Sequence, residues 1–279
     1  MYYSIDYYSF TIPIERKLGE GMFESDRIYV VHTLLERFPF LNSALGKYDD
    51  WTTEGAKGFY TYRLRHSSSD VALSYGSVNS HILVECAGKA CNNLDSIDAL
   101  DALIAATTER TTRIDFAIDI ETDIDPKIFI DARSSVAFKS TGSKRSPTGR
   151  TEYLGGRSSE RMARVYRYEP PHPRSKLLRV EAEYKGAAAK TAARHLHQVG
   201  VEKACLDAHS AFQWTHPTWT PETASDGKIP YSSYNPQNAN TVHWLYGTCL
   251  TALSKAVKVG LIDLDEWLKI LRESLKDEN

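Results

Sequence analysis

The sequence predicts an α+β fold in which two similar β-α-β-β-β-α halves form a curved, mainly antiparallel sheet with helices on one face, followed by a C-terminal helical extension. Two observations predict it. Stretches with apolar residues at every second position and stretches with helical spacing follow each other in the same order twice along the 279 residues. The halves also share short patterns, because residues 6–12 resemble 115–120 and residues 83–89 resemble 179–185. Runs of strands followed by helices are typical of an antiparallel sheet covered on one face.

The first half is predicted to span residues 1–110. It begins with an alternating strand at 4–12 and a helix at 25–38. Three strand candidates follow at 59–65, 70–76 and 80–86, and a helix at 94–107 ends the half.

The second half is predicted to span residues 111–215 and to carry the catalytic site. Its predicted elements are a strand at 112–121, a helix near 126–136, strands at 150–154, 161–168 and 177–185, and a helix from 187 to about 211. Residues 216–279 are predicted to form a proline-rich loop and two C-terminal helices, at about 238–258 and 263–276.

Composition narrows the class of protein. The 42% hydrophobic and 25% charged residues are ordinary for a globular chain. No apolar run approaches the roughly 20 residues that span a bilayer, and the first residues do not resemble a signal peptide. The four cysteines form no CxxC pair, which argues against a disulfide framework or a zinc site. We therefore expect a cytoplasmic protein with no membrane partner.

The net charge of −2 conceals a basic segment. Residues 139–179 contain eleven lysines and arginines against three glutamates, a local charge of +8 that leaves −10 for the rest of the chain. A charged run is usually a solvated surface, but this one also fits a nucleic-acid backbone.

Three predicted strands of the second half carry polar side chains at every second position. Side chains two residues apart share one face of a strand. The sets that should each share a face are Arg113, Asp115, Ala117 and Asp119; Arg179, Glu181, Glu183 and Lys185; and Arg164, Tyr166 and Tyr168.

If these strands are neighbours, one sheet surface gathers four carboxylates, several cations and a tyrosine. Carboxylate oxygens suit Mg²⁺ or Mn²⁺, which polarise a phosphodiester while arginine or lysine binds its other oxygens. Tyrosine supplies a nucleophile once its proton is removed. The alternative is that the same side chains only form cross-strand ion pairs, worth about 0.2–1 kcal/mol each.

Five short sequence motifs follow one another along the chain: SIDYYSFT at 4–11, LVECAGKAC at 83–91, RIDFAID at 113–119, TEYLGGRSSERMARVY at 151–166 and LRVEAEYKG at 178–186. Together they resemble the Rep_trans family of rolling-circle replication initiators, over roughly residues 1–215. The family includes plasmid initiators, nickases of conjugative elements and replication initiation factors of filamentous phages. The resemblance implies origin-specific nicking of one DNA strand in a bacterial host, with a 5′-phosphotyrosine link and a free 3′ hydroxyl.

The resemblance also implies roles for residues. It makes Tyr166 the nucleophile and assigns an acidic, metal-dependent site for Mg²⁺ or Mn²⁺, in which Asp115 and Glu181 are the favoured ligands. Asp119 and Glu183 are further ligands or orienting groups, and Arg113 and Lys185 lie near phosphate. Five arginines are expected to contact DNA: Arg157, Arg161, Arg164, Arg167 and Arg179.

Two features depart from the family pattern or imitate another one. The family usually follows its tyrosine with an acidic or amide residue and then lysine, whereas this chain reads Tyr166-Arg167-Tyr168. This puts one phosphate contact in doubt and makes Tyr168 a candidate second tyrosine. His195-Leu196-His197 imitates the metal motif of other nicking enzymes, but in a helix residues two apart point about 200° apart, which disfavours a shared metal.

Two other functions compete with the nicking initiator. One is a non-catalytic origin- or operator-binding protein on the same scaffold, and the other is a carboxylate-metal nuclease that uses water. The expected partner is origin DNA, both double- and single-stranded. The resemblance also allows a host helicase and a second copy of the chain, neither of which the sequence identifies.

Overall fold

The computed structural model describes residues 2–15, 18, 24–55, 58–76, 80–88, 90–91, 97–127, 141–146, 149–168, 177–210 and 212. Contacts divide the chain into two units, Met1–Ser232 and Ser233–Asn279, and the described residues all belong to the first. Most of the predicted helix near 126–136 and all of the predicted loop and helices at 216–279 lie outside the described residues.

Ten strands of the described residues form a single antiparallel sheet. Their bounds are β1 (Tyr2–Pro13), β2 (Trp51–Glu54), β3 (Tyr62–His66), β4 (Val71–Tyr75), β5 (His81–Ala87), β6 (Thr111–Glu121), β7 (Thr141–Ser146), β8 (Gly149–Leu154), β9 (Arg161–Tyr168) and β10 (Leu177–Lys185). The order across the sheet is β2-β3-β4-β5-β1-β6-β10-β9-β8-β7. From the centre outward, the first half has the order β1-β5-β4-β3-β2 and the second half the order β6-β10-β9-β8-β7. The two halves therefore have the same strand arrangement, as the predicted duplication requires.

The central strands form because they alternate apolar and polar side chains. Ile114, Phe116 and Ile118 of β6 have no exposed surface. Register pairs Ile118 with Val180 and Phe116 with Ala182 of β10, so apolar side chains of neighbouring strands share one face. The residues between them in sequence therefore point to the opposite face.

The described helices are α1 (Glu24–Arg37), α2 (Asn42–Leu45), α3 (Ile97–Thr107), α4 (Gly186–Val199) and α5 (Val201–Ser210). Two tyrosines show which face they cover. The Tyr184 hydroxyl of β10 donates to the carbonyl of Ala208 in α5 at 2.8 Å. The Tyr8 hydroxyl of β1 lies 2.6 Å from the Thr107 hydroxyl of α3. The apolar face thus carries helices, as predicted. Among the described residues, no helix is long and apolar enough to cross a membrane.

Three elements differ from the predictions. β2 and β7 were not predicted, because Trp51 is the one apolar residue of β2 and β7 reads TGSKRS with none. The helix predicted from 187 to about 211 is two helices, α4 and α5. The break is at Gly200, whose φ of +81° lies in a region that glycine adopts without steric cost.

Candidate active site on the polar face

The face opposite the helices, here called the polar face, carries the predicted site residues of β6, β10 and β9. These strands are neighbours, which is the condition for their polar side chains to meet on one surface. Register pairs Asp119 with Arg179 and Arg179 with Tyr166. It also pairs Glu181 with Arg164. Directly paired residues point to the same side of a sheet, so carboxylates, cations and Tyr166 share the polar face.

Tyr166 belongs to a hydrogen-bonded group built on two strands. Its hydroxyl donates to one carboxylate oxygen of Glu181, and Arg164 Nε donates to the other oxygen. Arg164 Nη2 also lies 3.5 Å from a carboxylate oxygen of Asp115 on β6. One guanidinium therefore connects the two favoured ligand carboxylates, and the tyrosine hydroxyl lies against one of them.

Burial changes the acidity of these groups. Asp115 and Glu181 have no exposed surface. Desolvation raises the pKa of Glu181 to about 7, against a smaller lowering by Arg164, and desolvation likewise raises the pKa of Asp115. Burial and the negative charge of Glu181 raise the pKa of Tyr166 well above its usual range. The phenol is thus protonated at neutral pH, with a carboxylate in position to accept its proton.

Arg113 and Lys185 lie at the end of the cluster that is farther from Tyr166 along the strands. Arg113 Nε donates to Asp115 at 2.8 Å, and its Nη2 lies 2.6 Å from Glu183. Lys185 Nζ lies 2.5 Å from the other Glu183 oxygen. About a third of the Lys185 and Arg113 side chains is exposed, 31% and 28% respectively, so a phosphate could reach both.

Arg179 extends the cluster to Asp6, an acid that the sequence did not assign to the site. Its guanidinium donates to both carboxylate oxygens of Asp119 at 2.7 Å and to Asp6 at 2.6 Å. Asp6 is the extra residue of a β-bulge in β1, where the register against β6 shifts between Ile5 and Tyr7. Two signals could have indicated Asp6, namely the similarity of residues 6–12 to 115–120 and the SIDYYSFT motif at 4–11.

The five arginines expected to contact DNA are not on one surface. Arg157 is exposed, with its guanidinium 5.6 Å from the ring centre of Tyr153, whose register partner is Arg164 on the polar face. Arg161 lies over the ring of Tyr184, on the helix-bearing face. Arg167 is also on that face, where it donates to the carbonyls of Thr122 and Ile124. The polar face thus holds Arg164, Arg179 and Arg157, whereas the side chain of Tyr168 lies outside the described residues.

The carboxylates suit a divalent cation by their chemistry. The described residues contain no ready-made group of three or more histidine, cysteine, aspartate or glutamate side chains that could hold a metal. The ion-paired cluster nevertheless contains one more acid than base, and two of its acids are fully buried. Carboxylate oxygens are the ligands that Mg²⁺ and Mn²⁺ take. The acids are Asp6, Asp115, Asp119, Glu181 and Glu183, and the bases are Arg113, Arg164, Arg179 and Lys185.

The histidine pair of α4 has no part in this cluster. His195 Nε2 lies 2.7 Å from a carboxylate oxygen of Asp207 in α5, and His197 lies 3.6 Å from Asp101 in α3. Their different partners agree with the expectation that the two rings point apart.

Comparison with known proteins adds a structural relative. No protein-family model matches the chain, and no curated protein matches it. A solved structure, described as a rolling circle replication initiator protein from Geobacillus stearothermophilus, is similar with a TM-score of 0.52 and 15% sequence identity. The similarity covers 82% of this chain and 92% of that chain. This chain therefore shares its fold with a rolling-circle initiator.

Proposed function

We propose that this protein initiates rolling-circle replication by nicking one DNA strand with Tyr166. The observation that carries the proposal is the hydrogen bond from the Tyr166 hydroxyl to the buried carboxylate of Glu181, within a cluster of acids and cations on the polar face. The fold similarity to an initiator from Geobacillus stearothermophilus supports the same reading. The resemblance of the motif blocks to the Rep_trans family agrees with it.

The chemistry is a transesterification. The phenolic oxygen of Tyr166 bonds to the phosphorus of a phosphodiester, and the bond from phosphorus to the 3′ oxygen breaks. The phenolic proton passes to Glu181, whose raised pKa of about 7 lets it accept and release a proton near neutral pH, and the leaving 3′ oxygen takes up a proton from water. The products are a 5′-phosphotyrosine link and a 3′ hydroxyl that a polymerase can extend.

Cations of the cluster would stabilise the charge that develops on the phosphate. Arg164 lies next to the Tyr166 hydroxyl through their shared partner Glu181. Arg113 and Lys185 are partly exposed at the end of the cluster farther from Tyr166. Donors that are already in place gain strength in a site with little water, because they need no reorganisation during the reaction.

The proposed cofactor is Mg²⁺ or Mn²⁺. Asp115 would hold it together with Glu183, its register partner, and Asp119 is a further candidate. Glu181, the other ligand that the resemblance favours, takes the phenolic proton instead, because a bound cation would lower its pKa. When bound, such a cation neutralises phosphate charge and polarises the phosphorus–oxygen bond. Thermal unfolding tests this assignment: Mn²⁺ should raise the melting temperature of the wild type but not of Asp115→Asn.

A covalent assay tests the function. Wild-type protein, Mn²⁺ and labelled single-stranded DNA carrying the origin should give an adduct that survives denaturing electrophoresis. Tyr166→Phe should give none, because phenylalanine has no nucleophilic oxygen. Tyr3→Phe is the matched control, since Tyr3 pairs with Ile118 and faces the helices.

The same assay separates the competing functions. Binding of origin DNA without any adduct would indicate a non-catalytic DNA-binding protein. Cleavage that survives in Tyr166→Phe would indicate a nuclease that uses water. Either result would overturn the proposal.

A further inference from the structure

A second tyrosine–glutamate–arginine group lies on the polar face, in the first half of the chain. The Tyr7 hydroxyl donates to one carboxylate oxygen of Glu85, and Arg63 Nη1 donates to the other. We call these three residues the first-half triad. In the same way, Tyr166 donates to one carboxylate oxygen of Glu181 and Arg164 donates to the other.

The duplicated fold explains why the two glutamates correspond. β5 and β10 have equivalent places, each beside the central strand of its half. The similar segments 83–89 and 179–185 align Glu85 with Glu181. The partners of the two glutamates are arranged differently. Tyr7 is on β1 and Arg63 on β3, whereas Tyr166 and Arg164 are both on β9.

The surroundings of the two tyrosines are also alike. Glu85 and Arg63 are buried, with 3% and 7% of their surface exposed. Tyr7 is half-buried, as Tyr166 is, so neither ring is enclosed in the core. A hydroxyl that donates to a buried carboxylate already has an acceptor for its proton.

Arg113 joins the first-half triad to the cluster around Tyr166. Its guanidinium carbon lies 4.4 Å from the centre of the Tyr7 ring. The same guanidinium donates to Asp115 at 2.8 Å, and Asp115 is the register partner of Tyr7. A partly exposed cation and a candidate metal ligand therefore lie beside Tyr7, the groups that phosphoryl transfer needs.

We propose that Tyr7 is a second nucleophile, which accepts a DNA strand after Tyr166 has been loaded. The inference rests on the proposed function. One chain could then nick a regenerated origin while still holding the first 5′ end, and so close the displaced circle without a second copy of the protein.

The second transfer balances without a further reactant. The Tyr7 oxygen bonds to phosphorus, the bond to the 3′ oxygen breaks, and the phenolic proton passes to Glu85 while the 3′ oxygen takes up a proton from water. The freed 3′ hydroxyl then attacks the phosphotyrosine at residue 166. A new phosphodiester forms, the bond from phosphorus to the Tyr166 oxygen breaks, and Tyr166 regains a proton.

Mass spectrometry of wild-type adducts tests the proposal without knowledge of the origin. A pool of randomised single-stranded oligonucleotides with Mn²⁺ serves as the probe, followed by trypsin and nuclease digestion. Trypsin separates the two tyrosines, because Tyr7 falls in residues 1–16 and Tyr166 in residues 165–167. Nucleotide is expected on both peptides, with fragmentation locating it at Tyr7 in the first.

Variants provide a second readout, the attachment of two oligonucleotides to one chain, seen in the intact mass. Tyr7→Phe is expected to lose the nucleotide on residues 1–16 and the doubly linked chain. Tyr2→Phe, on the same strand and 69% exposed, is the matched control and should keep both. If Tyr7→Phe does not fold, as judged by its thermal unfolding, the wild-type peptide map decides.

The outcomes separate this inference from the proposed function. Nucleotide on residues 165–167 alone, with no wild-type chain carrying two oligonucleotides, would overturn the inference and leave the function standing. Nucleotide on Tyr7 alone would overturn both the role of Tyr166 and the order of transfer, because Tyr7 would then be the initiating nucleophile. Absence of nucleotide from both peptides would overturn both.

Discussion

The proposed chemistry depends most on Glu181, because this carboxylate accepts a hydrogen bond from Tyr166 and forms an ion pair with Arg164. Removing the carboxylate from water raises its pKa to about 7. The group is therefore protonated below neutral pH and ionised above it. Only the ionised form can take the phenolic proton, so the pH dependence of nicking should follow Glu181.

We predict that adduct formation accelerates as pH rises from acid to about 7 and then levels off, because Glu181 becomes ionised in that interval. Glu181→Gln should form adduct about 10²–10⁴-fold more slowly and lose this dependence, since an amide accepts no proton. Single-turnover rates measured across pH provide the check. Glu121→Gln, at the exposed end of β6, is the control. An unchanged pH profile in Glu181→Gln would contradict the role of Glu181.

Parity along the strands predicted much of the site. Alternation predicted which residues of each strand share a face, and the register of the neighbouring strands β6, β10 and β9 then brings Asp115, Glu181 and Tyr166 to one face. The same parity puts Arg167, next to Tyr166 in sequence, on the other face, so its expected DNA contact came from charge and resemblance and not from the pattern. Asp6 could not be placed by parity, because a β-bulge interrupts the alternation at that residue.

At the scale of elements, α4 packs against the sheet through small side chains. Ala189, Ala192 and Ala193 have no exposed surface. A helix with such residues on its buried face approaches the sheet closely, which leaves no room for longer side chains. The helical spacing of these alanines was visible in the sequence, whereas the break at Gly200 was not, because a single glycine within a helical pattern does not always end a helix.

Ala192→Leu should therefore destabilise the protein by about 1–3 kcal/mol, because three extra carbons must enter a filled interior. Gln198→Leu, which places the same residue on an exposed position of α4, should change stability by less than about 0.5 kcal/mol. Urea unfolding followed by circular dichroism measures both. Equal stability of the two variants would argue against close packing of α4.

At the scale of the whole molecule, duplication gives one continuous sheet with a helix-bearing face and a polar face. The strand order β2-β3-β4-β5-β1 is repeated by β7-β8-β9-β10-β6, so β1 and β6 meet at the centre. Two similar halves were predictable from repeated patterns. Their joining edge to edge was not, because pairing between β1 and β6 depends on contacts distant in sequence.

This division of faces predicts where DNA binds. Arg157 lies beside Tyr153 on the polar side, whereas Arg161 lies over Tyr184 on the helix-bearing side. Arg157→Gln should weaken binding of single-stranded DNA and reduce the slope of log affinity against log salt by about 0.7, the loss of one phosphate contact. Arg161→Gln should leave the slope unchanged. Fluorescence anisotropy at several salt concentrations tests the pair, and the reverse pattern would place DNA on the other face.

The most direct test of the central claim is the identity of the peptide that carries DNA after reaction with origin DNA. Trypsin isolates Tyr166 in residues 165–167 and leaves Tyr168 in residues 168–174, so the two neighbouring tyrosines are distinguished by mass. We predict that the first covalent link formed, sampled at short reaction times, is a nucleotide phosphate on the Val165-Tyr166-Arg167 peptide. A first link on any other peptide would contradict the assignment of Tyr166 as the initiating nucleophile.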